Sequence, residues 1–578
     1  MKYLLKYLGK YKLESFFAPF FKLLEACFDL IVPIVVKSII DVGIANGDNA
    51  YVVKSCILLV ALGVVGLVCA VTAQYFAARA AVGSVTGIRH ELFSHLQRLS
   101  YTETDSIGTS SMITRMTSDI NQVQTGINMT LRLFLRSPII VFGAMIMAFT
   151  INARSALTFT VLVPVLAIIV FGIILAGIPL YRKVQSKLDR VTAITRENLS
   201  GTRVIRAFNK EDDEIREFDE ANKEHTSVQN FTGKITALMN PLTYVCVNLG
   251  IVALIYVAAP DIDNGSMTQG ELVAMYNYMS QILVELVKLA NTIFTVTKAV
   301  ACGNRIQAVL DTPAGMEIKR NAEKTGADGG NNCPAVEFKN VSLKYRSAGA
   351  QTLSGIDFSV KPGMTVGIIG GTGAGKTSLV NMIPRFYDAT QGEVRVFGKN
   401  VNGYELKELR KLIGIVPQKA VLFKGTIRSN LKWGKEDATD EEMWKALEIA
   451  QARDFVEQKE GKLDAEVKQN GRNFSGGQRQ RLCIARALVS RAPILIFDDS
   501  SSALDYATDA RLRRALASLD YSPTVFTISQ RTSSISHADM IIVLEDGEFV
   551  GKGSHEELLE SCPVYKEIYD SQFMGATR

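Results

Sequence analysis

Residues 365–386 read TVGIIGGTGAGKTSLVNMIPRF, and this stretch decides the fold of the second half of the chain. Its first six residues are a short apolar, β-branched run, which predicts a strand. The eight residues from the last of these onward, GGTGAGKT at 370–377, satisfy GxxxxGK[ST], and the remainder reads as a helix. Strand, glycine-rich loop and helix in that order form a phosphate cradle: backbone N–H groups wrap the phosphates, and the helix N-terminus adds a favourable dipole. Gly370, Gly371, Thr372, Gly373, Ala374 and Gly375 form the loop, and Lys376 reaches the β- and γ-phosphates. Thr377 is placed to ligate Mg²⁺, and Ser378 follows on the first turn.

Downstream, Ile494–Asp498 (ILIFD) is an apolar strand ending in a carboxylate. An aspartate at a strand's carboxyl end is where nucleotide-bound Mg²⁺ is held, so Asp498 joins Thr377 as a metal-site residue. The two pieces predict an α/β P-loop nucleotide-binding domain over 335–578. Upstream of it, residues 311–334 (DTPAGMEIKRNAEKTGADGGNNCP) lose all hydrophobic periodicity and read as a linker.

Residues 1–310 are unlike this. Six apolar stretches, near 15–40, 55–78, 133–151, 155–180, 235–259 and 270–296, approach or exceed the roughly 20 residues that cross a bilayer. They predict an all-α transmembrane domain of six helices. The stretch 182–234 holds 11 Lys or Arg, and Lys2, Lys6, Lys10 and Lys12 crowd the amino terminus. The short turns near 41–53 and 259–269 carry Asp41, Asp48, Asp261 and Asp263 but no Lys or Arg. Positive loops stay inside, which places both termini in the cytoplasm. Residues 1–12 are amphipathic and are expected along the inner membrane surface, with no cleaved signal ahead of them. The inner connections, 79–132 and 181–234, read as helical extensions with tips near 103–111 and 206–214.

Composition agrees. The chain has 578 residues, 47% hydrophobic and 21% charged, with a mean hydropathy of +0.14. Such a chain buries enough apolar surface to exclude disorder, and 44 Gly and 8 Cys exclude collagen-like and disulfide-framework classes. The cysteines show no CxxC pair or metal-ligand spacing and are read as reduced thiols. A net charge of +6, from 64 basic and 58 acidic residues, is too small to point to nucleic acid.

The segment 473–478, NFSGGQ, makes the assignment specific. With FSGGQRQRLCIARAL it resembles the signature helix of the ATP-binding cassette (ABC) transporters, and the resemblance extends over nearly the whole chain. It implies that Ser475, Gly476, Gly477 and Gln478 serve the γ-phosphate of ATP held by an opposite subunit. It also implies that Tyr345 stacks on adenine, that Gln418 in IVPQ senses Mg²⁺ and contacts the membrane half, and that SALD at 502–505 is the D-loop, with Asp505 near the nucleotide. Gly108, Arg115 and Asp119 resemble the family's first intracellular loop. Six spans and one cassette resemble an exporter half that works as a dimer, with ATP and Mg²⁺ as cofactors and the cell membrane as its place.

Two positions depart from the family. The residue after Asp498, which the resemblance makes the Walker B aspartate, is normally Glu, the general base, and here it is Asp499. The switch-loop histidine is here Gln530; His537 lies seven residues further on and is not counted as a replacement. Shortening the side chain by one methylene withdraws the carboxylate by about 1.5 Å, and a misplacement near 1 Å costs about 100-fold in rate. Glutamine donates a hydrogen bond but carries no proton to transfer. By the resemblance, both residues would serve the nucleotide on this chain's own Lys376, whereas the SGGQ core would serve the partner's. The expectation is a heterodimer: a degenerate site here, completed by a second half-transporter with intact Glu and His. Gln469, where exporters usually have Glu, fits the same asymmetry. Drugs or amphipathic small molecules are the expected cargo; lipid or peptide export and a nucleotide-gated regulatory or channel subunit are the alternatives.

Charges inside the apolar stretches are candidates for function. Lys22, Glu25 and Asp29 share one helical face, as do Glu285 and Lys288. They are expected either to pair with neighbours or to attract cationic cargo. Met275, Tyr276, Tyr278 and Met279 are expected either to line an adaptable cavity or to pack helices.

Overall fold

The computed structural model describes residues 6–313, 333–345 and 349–573. Most of the expected linker, and residues 1–5 of the expected surface helix, lie outside the described residues. The chain forms two compact units: Met1–Gln97 with Ser110–Asp311, and Arg98–Thr109 with Thr312–Arg578.

The first unit is helical. Five helices, Asn49–Leu96, Thr109–Ile151, Ala153–Ala207, Glu211–Asp263 and Gln269–Leu310, are long and apolar enough to cross a membrane. The first expected span does form a helix, Lys12–Ser38, but it is not among the five; Lys22, Glu25 and Asp29 interrupt its apolar run. At 48 and 55 residues, two of the rods are about 70 and 80 Å long at 1.5 Å per residue. Both exceed a hydrocarbon core of roughly 30 Å, so these helices run on into the connections that begin at 79 and 181. Large residues such as Val60, Leu67 and Val71 point outward, while Ala73, Ala77, Ala80 and Ser84 are buried. Small residues inside and large ones outside are the reverse of a soluble helix and suit lipid. At Gly126 an added Cβ would lie 2.1 Å from the Ala299 Cβ, so the two helices approach backbone to backbone there.

The intramembrane charges pair with one another. Arg136 donates to Asp29 at 2.8 Å and to Glu285 at 2.7 Å, and lies 3.7 Å from Glu25. Ser137 and Lys288 also donate to Glu285, and Lys22 to Glu25. Glu285 is therefore the buried end of an ion network, which favours pairing over an open cationic site. Met275, Tyr278 and Met279 are fully buried in the helical core, and Tyr278 donates to Leu30 O at 2.6 Å. These three pack helices; Tyr276 alone of the set is exposed.

The second unit is an α/β domain around a six-stranded sheet in the order Glu548–Gly553, Met540–Glu545, Thr365–Gly370, Thr524–Ile528, Ile494–Asp498, Ile413–Val416. The last five run parallel and the first is an antiparallel edge. The parallel strands are apolar on both faces, as a doubly covered sheet requires. One face meets an antiparallel sheet built on Val336–Leu343 and Leu353–Val360, with Phe338, Phe358, Ile368 and Phe526 in the shared core. A separate core of Leu447, Val456, Phe474 and Ile484 holds the helical part that carries the SGGQ segment.

Candidate functional site

Strand register assembles the site. Ile368 pairs with Ile528, and Ile528 with Asp498. The neighbouring strand runs parallel with Val416 opposite Phe497. The loops that follow Gly370, Asp498, Ile528 and Val416 therefore leave one edge of the sheet together, the carboxyl edge where α/β proteins bind ligands. Lys376, Asp499, Gln530 and Gln418, scattered over 155 positions of sequence, stand at or just beyond that edge.

The phosphate loop has the expected local form. Its helix, Lys376–Asn381, is shorter than the pattern over 378–386 predicts. Gly375 caps it at φ +88°, and an added Cβ would meet the Leu353 side chain at 2.6 Å and Thr352 O at 3.1 Å, so both backbone and space require glycine. Lys376 is buried and donates to Gly370 O at 2.9 Å and Gly371 O at 2.6 Å. It makes no ion pair among the described residues, and burial lowers its pKa against the pull of Asp499 and Asp498. A buried ammonium held only by carbonyls is a place for an anion.

Thr377 Oγ1 donates to Asp498 Oδ1 at 3.0 Å, so the two residues expected to hold Mg²⁺ are side by side. Burial raises the Asp498 pKa, and the Thr377 hydroxyl and Lys376 oppose the shift. An oxygen pair short of positive charge fits a divalent cation. Tyr345 is half-buried, donates to Ser378 Oγ at 2.8 Å and meets Tyr387 edge-on at 4.9 Å between ring centroids. It stands beside the phosphate loop, where a base would extend. Together these residues fit a Mg²⁺–nucleotide.

The remaining expected residues are placed as follows. Asp499 sits in the left-handed region at φ +46°, its N–H bonded to Ile528 O at 3.0 Å. Gln418 and Gln530 are exposed. Ser475 is the N-cap of Gly476–Val489, in a capping box with Gln478. An added Cβ at Gly477 would lie 3.0 Å from Ala503 O. The carboxylate of Asp505 accepts from Thr508 N at 2.8 Å and Thr508 Oγ1 at 2.9 Å, which lowers its pKa. Asp505 is the N-cap of the helix Tyr506–Ala517.

Three partners carry no sequence signal. Arg136 reaches across 107 and 149 residues to Asp29 and Glu285. Tyr387 donates to Asp105 at 2.8 Å, fastening the short helix Tyr101–Ile107 within the second unit. Gln572 donates to the backbone carbonyl of Gln530 at 2.7 Å.

A membrane-embedded helical unit and a P-loop nucleotide site define an ATP-driven membrane transporter. The family models for the ABC transporter transmembrane region and for the ABC transporter match residues 15–286 and 353–502. An uncharacterized ABC transporter ATP-binding protein of Mycobacterium bovis is 39% identical over 563 residues, 96% of this chain and 95% of its own length. An ATP-dependent lipid A-core flippase of Hahella chejuensis is 32% identical over 503 residues, 87% of this chain and 85% of its own. The structure of a bacterial Atm1-family ABC exporter with ATP bound superposes with a TM-score of 0.79 at 24% identity, over 97% of this chain and 98% of that one. The chain belongs to the ABC transporters and has the exporter fold.

Proposed function

We propose that this chain is one half of a heterodimeric exporter of drugs or amphipathic small molecules, and that its own Walker site is the weaker of two. The observation that carries the reading is the pair Asp499 and Gln530, next to the same nucleotide edge as Lys376, where the family uses Glu and His. Lys376, Thr377, Asp498 and Tyr345 are suited to bind Mg²⁺–ATP, and bound Mg²⁺ supplies charge neutralisation of the phosphates. Asp499 is too short to orient water well, and Gln530 holds a phosphate without charge. The intact SGGQ segment serves the nucleotide of a partner with Glu and His. The chain sits in the cell membrane with both termini in the cytoplasm.

Single-turnover hydrolysis in the assembled transporter tests this. Asp499→Asn is expected to change total turnover less than about twofold, whereas neutralising the partner's glutamate costs about 100-fold or more. Equal losses would show two equivalent sites and end the asymmetric reading. Likeness to the lipid A-core flippase favours lipid as the second cargo class. Vanadate-sensitive accumulation of dye, or of labelled lipid, in inverted vesicles separates the two. Vanadate-indifferent passive flux would instead indicate a nucleotide-gated channel.

A further inference from the structure

The switch loop re-enters helix at Thr532–Ile535, a turn whose N-cap residue, Arg531, makes no side-chain cap. The Arg531 guanidinium lies over the Tyr506 ring, 4.9 Å from its centroid, and donates to Leu504 O at 3.4 Å. The first amides of a helix have no internal partner, so the cap must come from elsewhere. It comes from Gln572, 40 residues on, whose Oε1 accepts from Thr532 N at 2.9 Å and from Thr532 Oγ1 at 3.0 Å. The other end of the same amide, Nε2, donates to the backbone carbonyl of Gln530 at 2.7 Å. A carboxamide, with an acceptor at one end and donors at the other, is suited to bridge both points. Its helix, Pro563–Phe573, is anchored by Tyr565, fully buried with Ile369, Ile541 and Val543 beside the sheet.

We infer that Gln572 is a positioning residue for the nucleotide site. By holding the Gln530 carbonyl it fixes the backbone from which the Gln530 side chain reaches the terminal phosphate of a nucleotide on Lys376. This rests on reading Gln530 as the switch-loop residue, so Gln530→Ala is the reference variant.

The test is the release rate of radiolabelled Mg²⁺–ATP retained by the full-length assembled transporter in nanodiscs, measured with KM and kcat for ATP. Gln572→Glu keeps the acceptor for Thr532 but loses the donor to the Gln530 carbonyl; Gln572→Ala loses both. Release about 3- to 10-fold faster in Gln572→Glu as well as Gln572→Ala is the expected result, matching the direction of Gln530→Ala. Wild-type release in Gln572→Glu, with Gln572→Ala fast or with both unchanged, would reduce Gln572 to a helix cap or to nothing and overturn the inference alone. Wild-type release in Gln530→Ala would overturn the inference together with the switch-loop reading.

Discussion

Asp498 shows how a functional residue works against its own fold. Its carboxylate is buried, with one hydroxyl bond from Thr377, and burial raises its pKa. An acid with a raised folded pKa favours the native state only while protonated. Stability declines as pH rises from the unfolded value near 4 towards the folded one, and the full penalty stands at neutral pH. Asp498→Asn keeps the acceptor for Thr377 and removes the charge. The nucleotide-free protein should then be more stable and melt at a higher temperature, with a flatter stability profile over the acid range, while Mg²⁺–ATP binding is lost. Differential fluorimetry against pH, with and without nucleotide, checks both. Neighbouring Asp499 adopts the left-handed region at φ +46°, which aspartate tolerates better than most residues. Its place after the strand was readable; its conformation was not, because φ is set by the turn that leads from Ile494–Asp498 to the helix Tyr506–Ala517, where the Asp499 N–H bonds Ile528 O.

At the scale of elements, the ion network shows what spacing conveys and what it omits. The i, i+3 and i+7 rule grouped Lys22, Glu25 and Asp29 on one helix and Glu285 and Lys288 on another. It had no means of finding Arg136, which joins the two groups from a third helix just after the π-helical turn Thr130–Phe134. Removing one member of a buried ion cluster leaves the others uncompensated, at about 3–5 kcal/mol. Arg136→Ala should therefore lower stability by about 3 kcal/mol, and adding Glu285→Gln should recover part of that loss. Chemical unfolding in detergent, compared across the two single variants and the double, measures the coupling. Additive losses would mean that Arg136 and Glu285 do not depend on each other. The phosphate loop is the opposite case: cradle, lysine and helix lie within a dozen residues, so local sequence sufficed. The helix is shorter than its pattern because it ends at Asn381 and Pro384 follows.

Over the whole molecule, the slightly positive mean hydropathy averages two solvents. The helical unit turns Val60, Leu67 and Val71 outward, whereas the nucleotide unit buries its apolar strands on both sheet faces. The connection at 182–234 holds 11 Lys or Arg, whereas the short turns near 41–53 and 259–269 hold none, which predicts the orientation. With the native cysteines, all eight of them free thiols, replaced, Asn264→Cys should react with an impermeant maleimide from outside intact cells. Lys210→Cys should react only after permeabilisation, and the reverse pattern would invert the topology.

The sequence by itself determined the two-part organisation, the phosphate loop and the strand ending at Asp498, and likeness to the family singled out the SGGQ segment, Asp499 and Gln530. Each is written in contiguous residues, so no long-range packing is needed to read it. Only the tertiary structure decided how the sheet register brings four loops to one edge. It alone showed that Arg136 neutralises carboxylates on two other helices and that Gln572 bonds the backbone at Gln530 and Thr532. Those outcomes depend on which distant side chains meet once the cores close, and a meeting across 40 to 149 residues leaves no periodic trace in the chain.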